Sequence, residues 1–129
     1  MTTDLWILVA VVGLQWLLVL SAATPRLLTR GIAWSLGARD GDAKDVSIVA
    51  HRTQRASDNL AENLPLFAVL VLVVQASGSA DATSALGAWI FLGGRLAHAA
   101  LYIAGVSTLR TVAWAISVGG MFVVGSVLF

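Results

Sequence analysis

The chain of 129 residues contains no cysteine. That excludes a disulfide framework, a Cys-ligated metal and a protein thiol acting as nucleophile, so any sulfur chemistry must arrive with a ligand. Charge is nearly as scarce: charged residues make up 12%, about half the quarter usual in soluble domains. The formal net charge of +1 is too weak to draw in nucleic acid, and no such partner is expected. Apolar residues fill the space left. The set AVILMFWYC accounts for 58%, and mean hydropathy is +0.87. A water-soluble globule of this size could not hide so much apolar surface, so the bilayer is the solvent, and disorder and extended soluble enzymes are excluded.

Leu5–Ala23 runs for 19 residues without a charge, enough to cross roughly 30 Å of hydrocarbon at about 1.5 Å per residue. The leader Met1–Asp4 has no Lys or Arg, which makes a cleaved signal peptide the weaker reading. A second helix is expected over 46–76, its polar first half free of Gly and Pro, ending at Ser77-Gly78-Ser79. A third, over 82–106, contains Arg95 and His98, and a fourth covers 110–129. The expected fold is an all-α membrane protein, a four-transmembrane-helix bundle forming one domain over 1–129. Arg26, Arg30, Arg39, Lys44, Arg52 and Arg55 crowd the first connection and Arg110 follows the third helix, whereas Ser77–Asp81 has no basic residue. Basic loops stay in the cytoplasm, which puts the first and third loops there and both termini on the other side. Asp40, Asp42 and Asp45, set among Gly37 and Gly41, read as a solvated turn without EF-hand spacing, and no metal is expected.

An ionisable side chain at membrane depth costs about 2.5–3.5 kcal/mol on insertion scales and marks a functional site by default. Arg52, Arg55, Asn59 and Glu62 recur at helical spacing and form one stripe on the second helix. Arg95, His98 and Tyr102 form another on the third, with Gly93, Ala97, Ala100 and Ala104 opposite as the side for close helix approach. Together Arg55, Asn59, Glu62, Arg95, His98, Tyr102 and Arg110 are expected to line a pocket in the cytoplasmic half. Arg95 needs a counter-charge, from Glu62 or from a ligand carboxylate. A kink is expected at Pro65, which leaves the Ala61 carbonyl without its partner. Arg52 and His51 are expected to be solvated, and the five tryptophans to face lipid or the interface.

The run Arg55-Ala56-Ser57-Asp58-Asn59-Leu60-Ala61-Glu62-Asn63-Leu64-Pro65-Leu66-Phe67 resembles the second-helix signature of the MAPEG family, membrane-associated proteins of eicosanoid and glutathione metabolism. Gly94-Arg95-Leu96-Ala97-His98 followed by Tyr102 is similar to the family's third-helix segment in its prostaglandin-synthase branch. The four-helix plan agrees over nearly the whole chain, and the short length looks most like the small prokaryotic branch. The resemblance implies a homotrimer that binds glutathione between subunits. Residues matching Arg55, Asn59, Glu62, Arg95 and Tyr102 hold the tripeptide, His98 lines the ligand, and Arg110 faces the thiol. Arg26 matches a further basic contact loosely. Two departures stand out: Asp58 occupies a position that is basic in that branch, and Trp114 one that is a tyrosine.

Glutathione carries two carboxylates and an ammonium, which several Arg and one Glu complement, and Arg grips carboxylates in a two-pronged way. Its thiol, with a pKa near about 8.5, reacts as thiolate, and a guanidinium beside it favours that anion. The implied activity is glutathione transferase or peroxidase chemistry on a lipophilic electrophile or lipid hydroperoxide that enters from the membrane lipids. The alternative is a non-catalytic protein of the same fold, with an Arg95–Glu62 scaffold pair and a cavity holding a lipid. A small multidrug transporter fits less well, because its first helix should carry a carboxylate and Leu5–Ala23 has only Gln15.

Overall fold

The computed structural model describes residues 1–40 and 46–129. Gly41, Asp42 and Asp45 of the expected turn, and Lys44 of the basic connection, lie outside the described residues. Among the described residues there are four helices and no strand: α1 Thr3–Leu36, α2 Ile48–Ala76, α3 Ala82–Ala104 and α4 Ser107–Ser126. All four are long and apolar enough to cross a membrane, as expected from the charge-free runs.

Side-chain pairs set the register of the bundle. Asp4 on α1 accepts from Gln75 of α2 and Ser84 of α3, so these three helix ends lie level. At the opposite end Arg26 of α1 donates to Gln54 of α2, Arg52 of α2 reaches the Ile103 carbonyl of α3, and Arg110 of α4 lies over Tyr102 of α3. Neighbours in the chain are therefore antiparallel and both termini share one end. The 22 residues from Asp4 to Arg26 rise about 33 Å at about 1.5 Å each, close to the thickness of the hydrocarbon layer. An acidic belt closes one end of the span and a basic belt the other.

Helix limits follow local chemistry more than hydropathy. The first helix, expected to stop at residue 23, continues to Leu36 through Pro25. The charge-free run ends where water begins, but a helix satisfies its backbone internally and need not end there. Thr24 and Thr29 hydroxyls return to the carbonyls of Leu20 and Pro25 around the missing proline donor. The helical path breaks only at Gly31, whose φ of 81° suits a residue without Cβ. Ser47 caps α2 by accepting from the Ala50 N–H at 3.2 Å, and α2 passes through Pro65 as one helix to Ala76. Asp81 and Ser84 form a capping box on α3. Gly105, at φ 82°, ends that helix, with Val106 N–H donating to the Leu101 carbonyl. This tight stop makes the α3–α4 link two residues long, so Ser107–Leu109, left between the expected third and fourth helices, joins Arg110 in the first turn of α4.

The core joins Ile7, Val11, Leu60, Phe67, Val71, Phe91 and Val124, with Phe67 and Phe91 stacked at 4.0 Å between ring centres. Close helix approach occurs between α3 and α4, on a different face from the expected one. A Cβ on Gly87 would meet the Val124 nitrogen at 2.6 Å, and one on Gly94 the Ser117 nitrogen at 2.8 Å. Gly93, Ala97, Ala100 and Ala104 are exposed instead. Both faces carry small residues, and spacing alone does not say which one a partner occupies. On the α4 side, a Cβ on Gly120 would sit 2.6 Å from the Phe91 nitrogen, backbone that has no rotamer to give. Gly120→Ala should therefore lower the thermal midpoint in detergent, at a cost of about 1–3 kcal/mol. Gly93→Ala, with nothing within 4 Å, should leave the midpoint unchanged or slightly raised.

Candidate functional site

Arg95 sits among the apolar side chains of the core and is 1% exposed. Its Nη1 donates to Asn59 Oδ1 across the α2–α3 seam at 2.8 Å, and Cζ lies 5.3 Å from the centre of the Phe91 ring. Nε and Nη2 are buried with no hydrogen-bond partner. The expected protein counter-charge, Glu62, is not there: that side chain is exposed, and the neutral amide of Asn59 provides the acceptor. Helix geometry gives the reason. At about 100° per residue, Arg52 and Asn59 differ by about 20°, whereas Arg55 and Glu62 lie about 40–60° to one side of Asn59. The polar stripe of α2 thus splits lengthwise. One edge meets α3; the other, with Arg55 and Glu62, faces outward.

On α3 the expected stripe is intact. His98 is buried one turn from Arg95, and its ring meets the Tyr102 ring edge-on at 5.5 Å between centres. The half-buried Tyr102 carries the Arg110 guanidinium over its face, with Cζ 4.2 Å from the ring centre. Arg110 lies in the first turn of α4, where the positive end of the helix dipole disfavours a cation and the π face of Tyr102 offsets part of that. A cleft of about 390 Å³ lined by Ser107, Thr108, Arg110, Thr111 and Val112 opens beside it. A guanidinium and a helix N-terminus in one cleft make a place for an anion. The structure joins Asn59 to Arg95, His98 to Tyr102 and Tyr102 to Arg110, and leaves Arg55 and Glu62 on the outside.

Other polar residues have roles that spacing did not reveal. Arg52, expected to be solvated, donates from Nη1 to the Ile103 carbonyl at 3.5 Å and packs its guanidinium against Gly105, a favourable place for a cation at a helix C-terminus. Asp58 accepts from Gln54 Nε2 at 2.7 Å, and Gln54 in turn accepts from Arg26, so this carboxylate is tied toward α1. Gln15 donates to Ser57 Oγ at 3.0 Å inside the span. Asp4 is fully buried between Gln75 and Ser84. Apart from Gln54 and Asp58, one turn apart on α2, these pairs join residues 28 to 80 positions apart, and isolated polar residues beside apolar runs are the mark they leave in sequence. Trp6, Trp16, Trp89 and Trp114 are exposed as expected, while Trp34 is half-buried beneath the guanidinium of Arg30.

Asn59→Leu should strand Arg95 among apolar groups and destabilise the protein by about 2–4 kcal/mol. Asn59→Asp keeps the acceptor and should stay close to the parent protein. Adding Arg95→Leu to Asn59→Leu should restore much of the loss, read as the thermal midpoint in one detergent.

A family model described as the MAPEG family matches residues 5–129. No curated protein and no solved structure matches the chain. With the match extending over essentially its whole length, the chain belongs to the MAPEG family and is a multi-pass integral membrane protein of the glutathione and eicosanoid group.

Proposed function

We propose that the protein is a glutathione-dependent membrane enzyme that turns the glutathione thiolate on a lipophilic electrophile or lipid hydroperoxide. The observation that supports it most is the buried Arg95 guanidinium, with one N–H spent on Asn59 and its Nε and Nη2 donors unspent. A carboxylate ligand would satisfy those donors and provide the missing negative charge. Arg55 would take the second carboxylate and Glu62 the ammonium, with His98 and Tyr102 lining the site. Bound glutathione would supply the nucleophilic sulfur, and Arg110, at the N-terminus of α4, would favour its anionic form. The Asp58 charge, drawn off through Gln54 toward Arg26, bears less on such a site than its place in the motif suggests.

The outward position of Arg55 and Glu62 supports a homotrimer with the site between subunits. Glu62 lies ten residues beyond Arg52 along α2, about 15 Å inside the basic belt. A carboxylate exposed there would face hydrocarbon, at about 2.5–3.5 kcal/mol. A second copy laid over this face removes the cost and closes the pocket that one protomer leaves open. We place the basic belt at the cytoplasmic surface and both termini on the other side, by the loop charges.

A second reading, a protein that holds a lipid or apolar ligand without chemistry, draws on an apolar cleft of about 460 Å³ between Leu66 and Leu70 of α2 and Val118, Met121 and Phe122 of α4. Calorimetry with glutathione on the purified protein in detergent, followed by turnover of a model electrophile, separates the readings. The enzyme reading expects stoichiometric binding. Arg95→Leu should weaken it at least about 10-fold, the loss of about 1.4 kcal/mol or more. Arg110→Ala should bind nearly as before and turn over about 100-fold more slowly. No binding at millimolar glutathione overturns the proposal, and binding without turnover by the parent protein selects the second reading.

A further inference from the structure

The acidic belt is built differently from the basic one. Asp4 is 1% exposed, as buried as Arg95. Its Oδ2 is held by two donors, Gln75 Nε2 at 3.1 Å and Ser84 Oγ at 3.3 Å, while its Oδ1 is buried with no partner. Asp4 also lines a cleft of about 320 Å³, together with Thr2, Thr3 and Asp81. Asp81 Oδ1 is committed to the Thr83 and Ser84 amides of the α3 cap. Two carboxylates and two threonines thus share one recess.

No cation answers them from the helices. Along α3 the nearest basic residue is Arg95, eleven residues from Ser84, or about 17 Å. On the other helices the basic residues sit toward the basic belt. The amino group of the exposed Met1 is the sole positive group at this end among the described residues. A carboxylate buried without a counter-charge persists at large cost unless a cation or a proton joins it. A proton would neutralise Asp4 alone and would leave the Asp81 carboxylate, one oxygen of which caps α3, without a counter-charge. The recess is lined by Thr2, Thr3, Asp4 and Asp81 beside Ala80, Ala82 and Ala85, so every polar side-chain atom it offers is an oxygen, and two carboxylates among them are what hard cations select.

We infer that the recess between Asp4 and Asp81 binds a hard divalent cation of the calcium type, which ties the start of α1 to the start of α3 at the end of the bundle remote from Arg110. With two carboxylates the affinity is weak, about millimolar, as in extracellular calcium modules. The site is independent of glutathione. The test is thermal unfolding of the full chain in detergent after chelation, with CaCl₂, MgCl₂ and NaCl compared at matched ionic strength, and calorimetric titration with CaCl₂.

Calcium at about ten times its dissociation constant should raise the midpoint by about 4 °C, more than NaCl does. Asp81→Asn, which caps α3 as well as Asp does, should weaken calcium binding at least about 10-fold and leave glutathione affinity untouched. Asp4→Asn should abolish the response; should that variant fail to fold, Asp81→Asn decides. The inference is overturned by an absent calcium response, by an equal response in Asp81→Asn, or by a midpoint that follows acidification alone, which would mean that Asp4 holds a proton.

Discussion

Everything near the centre of this bundle is arranged around a guanidinium in a medium that cannot solvate it. Arg95 cannot reach water along its own helix, and the first acceptor it meets is the Asn59 amide, 36 positions earlier in the chain. That one bond sets the rotation of α2 against α3 and fixes which edge of the α2 stripe is internal. It also leaves a full positive charge balanced by a dipole only. Where polarity is expensive, such a half-answered charge is a standing attraction for an anion.

Most of the architecture was legible in the sequence because a bilayer imposes simple arithmetic. Charge-free runs of span length appear as helices. The Arg95, His98 and Tyr102 stripe survived because its three members lie within about 60° on one helix. The α2 stripe was legible as a row and not as two edges: Arg55 and Glu62 differ from Asn59 by an angle that only the position of α3 makes decisive. The length of α1 was illegible for another reason. Hydropathy registers where lipid stops, whereas the helix runs thirteen residues past Ala23, broken only at Gly31.

What spacing missed is the polar ties between distant segments. Asp4, Gln75 and Ser84 are three ordinary residues at three ends of apolar runs until the register aligns them. The same holds for Arg26, Gln54 and Asp58 at the other belt. The choice between the two small-residue faces of α3 was likewise made by α4, through Ser117 and Gly120, and by nothing local to α3.

The two-residue link at Gly105 has a mechanical consequence. With backbone resting on backbone from Gly87 to Gly94, α3 and α4 have no slack to rotate or slide and move as one rigid hairpin. Tyr102 and Arg110 therefore keep their spacing through any breathing of the molecule. Any rearrangement of the bundle therefore falls to α2, which meets that hairpin through side chains, the Asn59–Arg95 bond and the Phe67–Phe91 stack among them.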